Sequence, residues 1–222
     1  MKIVISIGGS VLTSEFSVER FRKYASVLKE LSSENELVVV VGGGKIARDY
    51  ISISRELGAN EAFSDLIGIE VTRLNARLLI SALGDRAYPE PLKEYTKLPE
   101  VLEMKKIAVM GGVSPGQTTD AVAAVAAEFI GADLLVNATS VDGVYTSDPQ
   151  KDPSARKIER MSAEELVRIV MSGEMKAGLK AVIDPLAAKI IERSRIRTIV
   201  MDGRNPENLK KIFSNHGGTE IV

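Results

Sequence analysis

Residues 37–48 read Leu37-Val38-Val39-Val40-Val41-Gly42-Gly43-Gly44-Lys45-Ile46-Ala47-Arg48, and their order decides the fold. A run of five apolar residues, four of them β-branched, predicts a strand buried on both faces, as in a parallel sheet. Three glycines follow at once. Apolar residues then return at helical spacing (Ile46, Ala47, Tyr50, Ile51) and predict a helix to about Leu57. A strand that enters a helix through bare backbone exposes unpaired N–H groups and about half a positive charge at the helix N-terminus. An anion fits there. Lys45 and Arg48 stand at the start of that helix, where cations oppose the helix dipole unless an anionic ligand offsets them. A plain strand-to-helix turn would need only one glycine.

The same junction recurs on either side. Ile3 to Ile7 predicts a short strand ending in Gly8-Gly9-Ser10, with Ser17 as the N-cap of a helix carrying Phe21, Tyr24, Ala25, Leu28 and Leu31. A longer helix is expected from Ser64 to Leu83, with Leu66, Ile67, Ile69, Leu74, Leu78 and Leu79 as its core side and Asp65 as a first-turn acid. Pro89 to Pro99 reads as a surface connection. Ile107 to Met110 is a further strand, ending in Gly111-Gly112-Val113-Ser114-Pro115-Gly116-Gln117-Thr118 before a helix from Ala121 to Ile130, with Thr119 or Asp120 as its N-cap. Against a phosphate-binding P-loop this segment keeps the glycines and the threonine, but Gln117 occupies the lysine position. Such a loop suits hydrogen bonding to a polar small molecule.

Leu134 to Ala138 predicts another strand, and Ser140 to Pro153 an ordered polar loop. Ser162 and Glu165 have capping-box spacing, Asp184-Pro185 opens a helix, Thr198 to Met201 forms a last buried strand, and the tail reads as an edge strand. Strands and helices alternate throughout. The expected fold is α/β, a three-layer αβα sandwich with a mostly parallel central sheet, as one domain over 1–222. Ligands in such sheets sit at the carboxyl ends of the strands, where four glycine- or threonine-rich loops are expected to gather.

Composition narrows the chemistry. The chain has 222 residues, 45% hydrophobic and 27% charged, with a formal net charge of −1. That balance disfavours a general nucleic-acid or membrane-surface binder. There is no cysteine and a single histidine, His216, so thiolate sites and His-based clusters or triads are excluded. The N-terminus is too short in apolar residues for a signal peptide and no membrane span is present, so a cytoplasmic protein is expected. No G-x-G-x-x-G follows any strand, which argues against a dinucleotide dehydrogenase.

The motifs I-G-G-S, V-V-G-G-G-K-x-A-R, T-T-D-A-V-A-A and T-x-V-D-G-V-Y-T-x-D-P, taken in order, resemble the amino-acid-kinase superfamily and within it the archaeal UMP kinase branch. The resemblance runs from Lys2 to the C-terminus. It implies transfer of the ATP γ-phosphoryl group to UMP with Mg²⁺, in pyrimidine nucleotide biosynthesis, and a homohexamer. By matching motif positions, it places Gly9, Ser10, Gly44, Arg48, Thr139, Tyr145 and Asp148 around ATP. Gly43, Asp65, Gly112, Val113, Ser114, Pro115, Gly116, Gln117 and Thr118 fall around UMP. Asp120 matches an acid that orients the basic groups or metal around the phosphates, and no side chain is assigned as a resident metal ligand.

One position departs from the pattern. Many superfamily members carry a lysine two residues before the first glycine loop, and this chain has Ser6. Lys45 is the first candidate for the missing cation and Lys176 the second. Other readings are an isopentenyl phosphate kinase or another small-acid kinase of this fold, and a non-catalytic nucleotide-binding member.

Overall fold

The structure is a computed structural model and describes residues 1–147, 152–171 and 182–222. Its strands are β1 (Lys2–Ile7), β2 (Glu36–Val41), β3 (Ala108–Met110), β4 (Leu134–Thr139), β5 (Val144–Tyr145), β6 (Lys157–Ile158), β7 (Arg160–Met161), β8 (Thr198–Asp202) and β9 (Thr219–Ile221). The helices are α1 (Gly9–Leu12), α2 (Val18–Leu31), α3 (Gly44–Glu56), α4 (Glu61–Leu83), α5 (Leu98–Glu103), α6 (Thr119–Ile130), α7 (Ala163–Met171) and α8 (Pro185–Ser194). Among the described residues a seven-stranded sheet runs β3-β2-β1-β4-β8-β9-β7. The pairs β1–β2, β1–β4, β2–β3 and β4–β8 are all parallel.

Alternation along the strands feeds two cores. Ile3, Ile5 and Ile7 with Leu37, Val39 and Val41 pack on one face, together with residues of α2 and α4. Val4, Val38 and Val40 pack on the other, with residues of α5, α6, α7 and α8. The result is the expected α/β architecture, with helices on both faces of a mostly parallel sheet.

Local signals hold where a side chain closes a cap. Ser17 accepts from Arg20 N–H at 3.3 Å, Ser162 and Glu165 exchange bonds at 2.8 and 3.1 Å, and Asp184 accepts from Leu186 and Ala187 N–H. Several expectations need correction. Gly9 begins the one-turn helix α1 rather than lying in a loop. Asn60 caps α4 three residues earlier than expected, so its first turn carries Glu61 and Asp65 lies in the second turn. The N-cap of α6 is Thr118, whose side chain accepts from Ala121 N–H at 3.2 Å, and neither Thr119 nor Asp120 fills that role.

The segment 89–99 is not only a surface loop. Leu92 is buried and donates its N–H to Val109 O at 2.8 Å, extending the sheet beside β3. Strand β5, inside the expected polar loop, pairs antiparallel with β6 beyond that loop's end, and β9 lies between β8 and β7 rather than at the edge. The largest difference concerns α4. Leu66, Leu74 and Leu78, expected in the core, are 49%, 60% and 43% exposed. The helix is apolar on two sides, and the sheet covers only the side of Ala76, Leu79, Ile80 and Leu83.

Candidate functional site

Because β1, β2, β3 and β4 run parallel, their carboxyl ends meet on one edge and bring the four expected loops together. The loops after β1 and β2 touch backbone to backbone. A Cβ on Gly9 would lie 2.0 Å from Gly44 N, and one on Gly44 would lie 2.3 Å from Thr13 Oγ1. Gly44 also has φ +68°, a conformation that glycine adopts at little cost. The triplet therefore has a packing role beside any role toward an anion, which the sequence reading did not foresee. Beyond these glycines, Ser10 is exposed. Arg48 is also exposed, and it has no ion-pair partner among the described residues. Lys45 stands 3.4 Å from Asp49, one turn along α3, with both side chains largely in solvent.

Helix α4 supports the loop between β3 and α6. Asp65 accepts the N–H of Gly116 at 2.8 Å, and Gly116 has φ +77°. Thr72, one of the polar residues buried in the body of this helix, accepts the N–H of Gly112 at 2.6 Å. Val113, Ser114 and Gln117 are half-buried, Pro115 and Gly116 exposed. The Gln117 side-chain carbonyl is buried with no hydrogen-bond partner among the described residues. Thr118, besides capping α6, donates its hydroxyl to Asp184.

A polar cluster lies where β1, β4, α6 and α8 converge. The Ser6 hydroxyl donates to Asp120 Oδ1 at 3.0 Å, and Asn137 Nδ2 donates to Val182 O at 2.9 Å. Burial pushes the Asp120 carboxyl up to about 6, the hydrogen bond from Ser6 pulls it down, and the nearby Asp184 charge raises it again. Asp120 is thus an acid poised near neutrality beside a buried serine.

On the other side of β1, Thr139 closes β4 and accepts the N–H of Gly203 through its backbone carbonyl at 2.8 Å. Tyr145 is half-buried, and its hydroxyl donates to Asp142 at 2.9 Å, which raises the phenol above its ordinary range. Asp148 and Lys176 lie outside the described residues, as does the loop from Gly173 to Gly178.

Sequence reasoning missed four of the residues that shape this edge. Along the chain Asp184 reads only as a cap, and Asn137 only as part of a strand. Thr72 and Asn75 stood as a polar pair three apart in an apolar helix, a signal that could have marked a helix holding something other than core.

Residues 1–202 match the model of a protein family described as the amino acid kinase family. The chain belongs to that family. More particularly, it is 56% identical over 212 residues to a uridylate kinase of Methanococcoides burtonii, covering 96% of this chain and 91% of the relative. It is 50% identical over 222 residues to a uridylate kinase of Methanothermobacter thermautotrophicus, covering 100% of this chain and 99% of the relative. The crystal structure of uridylate kinase from Archaeoglobus fulgidus superposes with a TM-score of 0.90 at 49% identity, each chain fully covered.

Proposed function

We propose that the protein transfers the γ-phosphoryl group of ATP to UMP, giving UDP and ADP. The observation that carries this reading is the near full-length similarity to uridylate kinases, joined to a strand edge built of glycine loops with exposed cations beside them. The protein is an enzyme of the phosphotransferase class. Phosphoryl transfer asks for alignment of donor and acceptor and for charge neutralisation, rather than for a side-chain nucleophile. Glycine loops with Lys45 and Arg48 offer that, and no cysteine is needed.

In this reading Gly9, Ser10, Gly44, Arg48, Thr139, Tyr145 and Asp148 hold ATP. Gly43, Asp65 and residues 112–118 hold UMP, with Asp65 keeping the loop in shape through Gly116. Lys45 and Arg48 neutralise the phosphates, while Asp120 orients the basic groups around them. Bound with ATP, Mg²⁺ would supply charge neutralisation at the phosphates, and no side chain of this chain is assigned as its resident ligand. The isopentenyl phosphate alternative is not favoured, because the near full-length relatives are uridylate kinases.

The chain is read as one domain over 1–222, acting in the cytoplasm in pyrimidine nucleotide biosynthesis. No helix among the described residues is long and apolar enough to cross a membrane. A homo-oligomer, the homohexamer of the resemblance, would cover the exposed apolar side of α4, where Leu66, Leu74 and Leu78 meet Tyr50 of α3 around one groove. Light scattering should report an oligomer that Leu66→Asp with Leu74→Asp breaks apart.

The deciding experiment is ADP release from ATP and Mg²⁺ with UMP, CMP, isopentenyl phosphate, carbamate and acetylglutamate as acceptors. Turnover with UMP supports the assignment. Turnover with a different acceptor only would discard it, and no turnover at all would leave a nucleotide-binding protein.

A further inference from the structure

We infer that Thr72 and Asn75 of α4 are positioning residues, which set the glycine triplet and the 111–118 loop in register with each other. The inference rests on the UMP kinase reading. Both side chains are almost fully buried, at 7% and 3% exposure. They sit one turn apart and therefore share a face of the helix.

Thr72 works in two directions. Its hydroxyl donates to Ile69 O at 2.6 Å and accepts the Gly112 N–H at 2.6 Å, so it ties the helix backbone to the loop. Its methyl group faces the triplet: a Cβ on Gly43 would lie 3.3 Å from Thr72 Cγ2. One threonine thus spaces Gly43, on the acceptor-phosphate side, from Gly112, where the nucleoside loop begins. The loop also approaches the helix closely one residue earlier, since a Cβ on Gly111 would lie 2.5 Å from Thr72 Oγ1.

Asn75 turns the peptides of the triplet. Its Nδ2 donates to Gly42 O at 3.0 Å and to Gly43 O at 3.3 Å. In a planar trans peptide the carbonyl and the following N–H point in opposite directions. With both carbonyls drawn to Asn75, the N–H groups of Gly43 and Gly44 face away from α4. Neither donates to another described residue. Backbone donors without a protein partner are what an oxyanion of a transferring phosphoryl group can use. The role of Asn75 is to set the direction of these donors through the two carbonyls it holds.

The test uses the full chain, with steady-state kinetics for UMP and ATP and a melting curve for each variant. Thr72→Val keeps the methyl and deletes the hydroxyl, whereas Thr72→Ser does the reverse. The valine variant should raise KM for UMP roughly tenfold, the effect of one buried N–H left unpaired, with KM for ATP unchanged. The serine variant should restore it to within about threefold. Asn75→Asp sets a carboxylate against two carbonyls and should lower kcat by roughly a hundredfold, the scale of a misplaced reacting group. Should Asn75→Asp fail to fold, the threonine pair decides alone. Val and Ser variants that are equally impaired, or that both match an active wild type, would overturn the inference and leave the kinase reading standing. A wild type that neither binds nor turns over UMP would overturn both.

Discussion

The Ser6 hydroxyl donates to Asp120 Oδ1 over 3.0 Å, from a strand position paired with Val40 on one side and Asn137 on the other. The donor that faces this carboxylate is therefore neutral. It stabilises the Asp120 carboxylate less than an ammonium would, and the acid is left near neutrality at about 6.

That relationship predicts a pH profile. If Asp120 acts ionised, kcat should rise through a limb centred near 6, the value burial imposes on it. The Ser6 bond lowers the Asp120 pKa, so Ser6→Ala should move the limb to higher pH. The charge of Asp184 raises it, so Asp184→Asn should move the limb to lower pH. A pH–rate series on the three proteins checks both directions, and shifts of the same sign would contradict the account.

The same acid predicts how stability depends on pH. Asp120 has an ordinary value of 3.8 and a folded value of about 6, so the folded state binds its proton more tightly than the unfolded chain does. Stability should then fall as pH rises from about 4 to about 6 and stay reduced above that. Asp120→Asn removes this dependence. It should be more stable than wild type at pH 7.5 by on the order of 2 kcal/mol while losing most of its turnover. Urea midpoints at pH 4.5 and 7.5 measure the difference.

Arg48 is exposed and unpaired among the described residues, so removing it should cost rate and not folding. Arg48→Ala is expected to lower kcat/KM by roughly ten- to a hundredfold, the worth of one charge-assisted phosphate contact, with the melting temperature unchanged. Lys45→Ala frees Asp49 from a 3.4 Å contact between two exposed groups and should also leave stability unaltered. If Lys45 neutralises the phosphates, its kcat falls as well; wild-type kcat would point away from it.

Glycine substitutions should separate packing from conformation. Gly9→Ala forces a Cβ to within 2.0 Å of Gly44 N, backbone against backbone, and should destabilise the protein by more than about 2 kcal/mol. Gly116→Ala meets open space but keeps φ +77°, so its cost should be near 1 kcal/mol and fall mainly on UMP binding. Thermal unfolding with and without UMP distinguishes the two.

Much of this molecule was legible along the chain. The valine run before Gly42 announces a buried parallel strand, and Ser17, Ser162 with Glu165, and Asp184 announce helix starts, because each signal acts within four residues of itself. The shared edge of four glycine- or threonine-rich loops followed from the alternation of strand and helix. The motifs around Gly43, Asp120 and Tyr145 pointed to the family.

What the chain alone left open are contacts between residues far apart in it. Ser6 finds Asp120 across 114 positions, Thr72 finds Gly112 across 40, and Thr118 finds Asp184 across 66. Strand order decides these pairs: β1 lies between β2 and β4, and α4 lies under the ends of β2 and β3. No periodicity reports that. Helix α4 makes the same point, since a helix apolar on two sides does not say which side the sheet will cover. The sequence by itself determined the elements, their parallel sense and the edge that carries the chemistry. Tertiary packing alone decided that Leu66, Leu74 and Leu78 face outward and that Thr72 and Asn75 face the loops, because burial depends on what stands opposite a side chain and not on the side chain alone.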